Sequence, residues 1–182
     1  MSKIALSPNA SGTGVFTIAS PSGNTDRTLT LPDEAGTVLT TAGVPASAMP
    51  AGSVLQVVHA STTTIVNTTS TTLVDTGFQA TITPTSASSK ILILFDIQLI
   101  HPSGGMGFGI YRDASLIYED ATNYAVYVTQ NATRQRIPFT YLDSPSTTSS
   151  ISYKLYMKSY TSSSGICNDN NATKVTLMEI AG

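Results

Sequence analysis

Residues 90–101 read KILILFDIQLIH, and the spacing of their apolar side chains decides the fold class. Side chains alternate across a strand, so Ile91, Ile93, Phe95, Ile97 and Leu99 make one unbroken apolar face. The other side carries Lys90, Leu92, Leu94, Asp96, Gln98 and Ile100. The odd positions therefore face a core. The apolar residues on the even side predict cover there as well, so that a second sheet lies on one face and another subunit on the other.

Working outward, the same alternation recurs. Strands are expected at 53–60, 63–68, 72–75, 78–83, 107–112, 115–119, 124–129, 133–142, 150–160 and 173–180. Each is rich in β-branched and aromatic residues, and turn signals separate them at the spacing of a sandwich or barrel. No stretch holds a helical period. In the segment from Ile151, one side has Ile151, Tyr153, Leu155 and Met157, and the other has Lys154, Tyr156, Lys158 and Tyr160. The first side belongs to the core; the second reads as a solvent or interface surface with aromatic handles. The fold class is all-β, with residues 53–182 forming a jelly-roll-like β-sandwich head.

The N-terminal 43 residues differ. Strand-like pieces at 15–19, 28–31 and 37–40 alternate with turn clusters and hold too few large apolar side chains to bury a core. Residues 1–43 are thus expected to form an extended arm, ordered against copies of itself or a partner. Residues 44–52, VPASAMPAG, have no periodicity and read as a linker.

Composition narrows the function. Thr (28) and Ser (23) dominate, whereas charged residues make up 11% of the 182 positions, against about 25% in an ordinary chain. Nine Lys and Arg with a net charge of −2 argue against nucleic acid, which needs clustered cations. Cys167 is the lone cysteine, so neither an intrachain disulfide nor a cysteine-based zinc site is available. The longest apolar run, Ile91 to Phe95, is far short of a membrane span, and no apolar stretch of a signal peptide follows Lys3.

Few groups remain for chemistry. The run Gly104-Gly105-Met106-Gly107-Phe108-Gly109 lacks the following helix that a phosphate loop requires, and reads as a flexible turn into a strand. His59 and His101 each end a strand; only threefold symmetry could gather three copies of one of them around a metal. Glu119-Asp120 and the loop Cys167-Asn168-Asp169-Asn170-Asn171 concentrate oxygen atoms, but the loop has no EF-hand spacing and reads as a turn. Sequons at Asn9, Asn67, Asn131 and Asn171 are expected by chance in such a composition. Arg112, Arg134 and Arg136 are expected to pair with Asp96, Glu119 or Asp143 across strands or subunits. No G-x-S-x-G elbow occurs. No catalytic, metal or cofactor residue is assigned, and the protein is not expected to be an enzyme.

Two stretches carry a resemblance. Residues 12–40, GTGVFTIASPSGNTDRTLTLPDEAGTVLT, resemble a short module near the start of tail-fibre and other appendage proteins of tailed bacteriophages. Residues 77–98, GFQATITPTSASSKILILFDIQ, with 173–181, TKVTLMEIA, resemble the C-terminal β-sandwich of many phage fibre proteins. The resemblance implies a homotrimeric virion protein whose arm, residues 1–43, joins tail, baseplate or major capsid protein and whose head contacts the host surface, with a surface glycan as the compatible ligand. It would be made in the bacterial cytoplasm without a signal peptide. Two alternatives are a capsid decoration, cement or head-fibre protein, and a secreted lectin-like or C1q-like binding module.

Overall fold

The computed structural model of the protein describes residues 10–15, 17, 22, 23, 25, 26, 28, 44, 45, 48–101, 104–120, 124–129, 133–160, 165–168 and 171–182. The chain divides into two units, Met1–Val38 and Leu39–Gly182. The arm strands expected at 15–19, 28–31 and 37–40 lie largely outside the described residues.

Among the described residues there are eleven strands and no α-helix. They are β1 Val54–Thr62, β2 Val66–Thr68, β3 Val74–Ile82, β4 Lys90–His101, β5 Gly104–Arg112, β6 Ser115–Glu119, β7 Val126–Val128, β8 Thr133–Asp143, β9 Ile151–Ser159, β10 Gly165–Cys167 and β11 Thr173–Ile180. All pairings are antiparallel. Setting aside the three-residue strands β2, β7 and β10, one sheet runs β1-β11-β4-β8 and the other β3-β9-β5-β6. Each new strand is thus added from alternate ends of the chain, which is the jelly-roll wrap of two sheets around one core.

The alternation read from the sequence is the alternation of burial. Ile91, Ile93, Phe95, Ile97 and Leu99 of β4 are 3% exposed or less, and they meet Met106, Phe108 and Ile110 of β5 and Tyr153, Leu155 and Met157 of β9 in one cluster. Aromatic rings tie the two sheets together. Phe78 on β3 meets Phe95 on β4 edge-on at 6.3 Å, and Phe108 on β5 meets Phe139 on β8 at 5.2 Å. Such pairs contribute about 0.5–1.5 kcal/mol beyond the area they bury. A polar strap closes the same layers near β8: Arg112 donates to both carboxylate oxygens of Asp143 at 3.0 and 2.9 Å, and the buried Tyr153 hydroxyl donates to Asp143 at 2.7 Å.

Three local expectations change. The strands expected at 72–75 and 78–83 are one strand, β3, with an irregularity between Asp75 and Gln79. Gly77 takes φ 72° there, and its N–H donates to the Asp75 carboxylate at 2.8 Å. The irregularity lets one strand continue through what reads as a turn. The glycine run is likewise strand from Gly104 onward, where backbone pairing with β7 replaces the turn. Finally, β10 was hidden inside a loop-like stretch: its three residues pair with β2 on one side and, where β4 outruns β11, with β4 on the other.

Gln98 is one exception among the described residues of this core. Its backbone is satisfied by Thr173 and Asn168, yet its side-chain amide is buried with no hydrogen-bond partner. Removing the amide while keeping the volume should therefore help. Gln98→Met is expected to raise the unfolding free energy by about 1 kcal/mol in urea titration, whereas Phe95→Ala should lower it by about 3–5 kcal/mol.

Candidate functional site

With the core formed by one face of each sheet, the outer faces are what the protein presents. On the second sheet, Gly105, Gly107 and Gly109 alternate with the core residues Met106 and Phe108, so from Gly105 to Gly109 the outer side of β5 carries no side chains, and Tyr111 is the first to stand on it. Neighbouring chains use that space. A Cβ on Gly109 would fall 2.6 Å from Leu73 Cδ1, and one on Gly105 would fall 2.8 Å from Tyr124 Cβ and 3.1 Å from Tyr160 Cβ. The face expected to show aromatic handles does so at Tyr160 and Tyr156, with the Tyr156 ring centroid 4.1 Å from that of Tyr111 and the two rings tilted by 32°. Lys158 does not behave as a surface residue. It is 5% exposed, and its Nζ lies 2.6 Å from Glu119 Oε1 across the glycine strand.

At the end of this face Tyr160 meets Tyr124 and Tyr127. Ring centroids are 5.2 Å apart for Tyr124–Tyr127 and Tyr124–Tyr160, and 6.2 Å for Tyr127–Tyr160. All three remain partly in solvent, 37%, 49% and 43% exposed for Tyr124, Tyr127 and Tyr160. Two backbone bonds hold them in place: Tyr160 N–H to Gly105 O at 2.8 Å and Ala125 N–H to Met106 O at 2.7 Å. Only Tyr160 is singled out by strand alternation; Tyr124 and Tyr127 become neighbours through β5–β7 pairing.

The outer face of the first sheet carries one aliphatic row. The register places Val57 opposite Met178, Met178 opposite Leu92, and Leu92 opposite Leu142, a row across β1, β11, β4 and β8. Val57 and Leu142 at its ends are 56% and 51% exposed. One row along, His59 Nδ1 lies 3.1 Å from the Thr176 hydroxyl; further on, Arg136 pairs with Asp96 through two nitrogens and holds the Asp96 carboxyl below its ordinary range.

The other sequence candidates are absorbed by structure. His101 is buried, with Nε2 3.3 Å from Ser159 Oγ, and burial lowers its pKa, whereas His59 is exposed. Asp120 accepts from Phe108 N–H at 2.8 Å and from the Tyr118 hydroxyl at 3.0 Å. In the Asn-rich loop, Asn168 has φ 67°, accepts from Thr173 N–H at 3.2 Å and donates to Thr64 O at 2.8 Å. Asp169 and Asn170 lie outside the described residues, as do Asn9 and Asn131. The Cys167 thiol is buried and pushed up to about 11 by burial, so it is a core group rather than a nucleophile. Arg112 and Arg136 take Asp143 and Asp96, while Glu119 takes a lysine. Arg134 lies opposite Ile100 on β8. Among the described residues no three His, Cys, Asp or Glu side chains converge as a metal site would need.

At the other end of the sandwich a cleft of ≈ 360 Å³ is lined by Met49, Leu55, Thr85, Ser86, Ser88, Ser89, Ala181 and Gly182. Close by, Glu179 is fully buried without a cation. It accepts from Gln56 Nε2 at 2.6 Å and from the Thr85 N–H and hydroxyl at 2.7 and 2.8 Å. Burial alone would raise its pKa; these donors together outweigh it, and the net shift is downward. The carboxylate thus pins the β3–β4 connection to β1 and β11.

No family model and no curated protein matches the chain. Among solved structures, similarity is found to infectious bursal disease virus, Gx strain (TM-score 0.45, 14% identity, over 70% of this chain and 32% of that one). The VP2 subviral particle of the same virus is similar at TM-score 0.42 and 15% identity, over 70% of this chain and 33% of that one. The chain spans about a third of the length of these matches.

The Glu179 cluster predicts an acid-side stability loss. Because the folded-state pKa lies below the ordinary 4.5, the contribution is complete above that value and disappears as pH falls through the depressed one. Glu179→Ala should be less stable than the native chain by about 3 kcal/mol at pH 7. Chemical denaturation from pH 7 to pH 3 should show that deficit shrinking below pH 4.5.

Proposed function

We propose that this protein is a structural component of a tailed-phage virion, a short homotrimeric fibre in which residues 1–43 attach to the particle and the sandwich contacts the host surface. The observation that carries the reading is the aliphatic row Val57, Met178, Leu92 and Leu142 on the outer face of the first sheet. A chain with 11% charged residues has little else to keep such a row in water, and burial against copies of itself removes it. The fibre-like stretches at 12–40, 77–98 and 173–181 point the same way, to an assembly that repeats one chain. Among the described residues the charged groups in the head interior are engaged in ion pairs or hydrogen bonds, as at Asp143, Asp120 and Glu179. That suits a binding and structural role better than catalysis. Several heads per fibre would let weak individual contacts act together.

Two measurements test the reading. In light scattering the native chain should weigh three times 19.0 kDa, and Leu142→Glu should return it toward the single-chain mass with its strand circular dichroism intact. Imaging of intact particles should place the protein at the tail. Density over the capsid would instead make it a decoration or head-fibre protein, and a monomeric native chain would overturn the trimer.

A further inference from the structure

The aliphatic row lies at one end of the first sheet, and that is the end at which the chain enters the head. Val57 is the fourth residue of β1 and Leu92 the third of β4, while Met178 stands two residues from the end of β11 and Leu142 one from the end of β8. Gly52 N–H donates to Ala181 O and Ala181 N–H to Ser53 O, both at 2.8 Å, so the entering segment is tied to the end of β11. We propose that the row is a head-to-tail contact between parallel copies of this chain. Val57 at the β1 edge of one head packs against Leu142 at the β8 edge of the next, and three such contacts close a ring around an axis that runs along the strands. The inference rests on the trimer reading above and adds which edges meet and in what orientation.

Exposure, edge position and charge set this arrangement. The two ends of the row are its most open residues, 56% at Val57 and 51% at Leu142, whereas Met178 and Leu92 between them are half-buried. Those ends belong to different edge strands, β1 and β8. A contact between unlike edges is heterologous, and it closes when the rotation from copy to copy does. Four strands spaced about 4.8 Å apart make the row about 14 Å wide. In a ring of three such faces the side chains of Met178 and Leu92 point to the axis and fill it.

Charge limits the contact to the entry half of the face. Lys90 precedes the row on the outer side of β4, and the row beyond it holds His59, Thr176, Leu94 and Thr140 without a carboxylate, Lys or Arg. Farther along come Lys174 and the Asp96–Arg136 pair, which stay in water. Parallel copies place all the chain entries on one side of the ring, as a single attachment point for residues 1–43 requires.

Cross-linking of the full chain tests the contact. Val57→Cys and Leu142→Cys are made singly and together, with the buried native Cys167 as the unreactive background. After oxidation with copper phenanthroline, denaturing electrophoresis without reductant should show a covalent species of three times 19.0 kDa from the double variant and single chains from either variant alone. A double variant that stops at two linked chains means a parallel twofold pair, a ladder beyond three means an open filament, and dimers from the single variants mean an antiparallel pair; each overturns the ring. A second measurement needs no disulfide. Val57→Lys should give the single-chain mass in light scattering, as is expected of Leu142→Glu, and the two substitutions together should restore the threefold mass because opposite charges then meet across every contact. A double-charge variant that stays monomeric with native circular dichroism overturns the proposal. If the native chain is trimeric but the double-cysteine variant yields no covalent species, the contact is wrong and the trimer reading stands. If the native chain is monomeric, both fall. A covalent trimer of a protein absent from particles would keep the contact and overturn the attachment reading.

Discussion

Strand β4 is the constraint on which the remaining structure depends. It hydrogen-bonds β8 along one side over its whole length, and on the other side β11 and then β10. Its odd side chains fill the space between the sheets, so β4 is central both within its sheet and in the stack. A strand so placed allows no slip: moving the register by one residue would put Asp96 and Lys90 into the core and five large apolar groups outside it. The cross-layer aromatic pairs and the Arg112–Asp143–Tyr153 strap then fix how the second sheet lies over it.

From that arrangement the two outer faces acquire different characters. The first sheet shows aliphatic groups in a row, in register across four strands. The second has a central strand whose outer side is bare from Gly105 to Gly109, and Leu73, Tyr124 and Tyr160 pack into that space. The abundance of Ser and Thr has a matching division. Some hydroxyls cap turns, as at Ser70 and Thr72, while others bridge strands, as Thr81 does with Ser152 at 2.9 Å.

Much of the fold was legible before any coordinates. The bounds of β4, β6 and β11 agree with the sequence expectation to within about a residue, because alternation of large apolar groups is a direct record of burial. The break at Gly77 was not legible as a mere irregularity, since a glycine preceded by Asp75 and Thr76 reads the same in a turn and in a bulged strand. Lys158 misled for a related reason: alternation says which side of a strand a residue occupies, not whether a partner such as Glu119 covers it. The tyrosine cluster could be seen only in part, as Tyr160 lies on a marked face but Tyr124 and Tyr127 sit 33 or more positions away in the chain.

What the sequence alone determined is most of the longer strands, the side of each that turns inward and the scarcity of charge, all properties of neighbouring residues and of counting. Only the tertiary structure decided which strands are neighbours, and hence that Val57, Met178, Leu92 and Leu142 make a row and that three tyrosines share one glycine floor. Those features depend on pairing between distant segments, and strand periodicity carries no record of its partner.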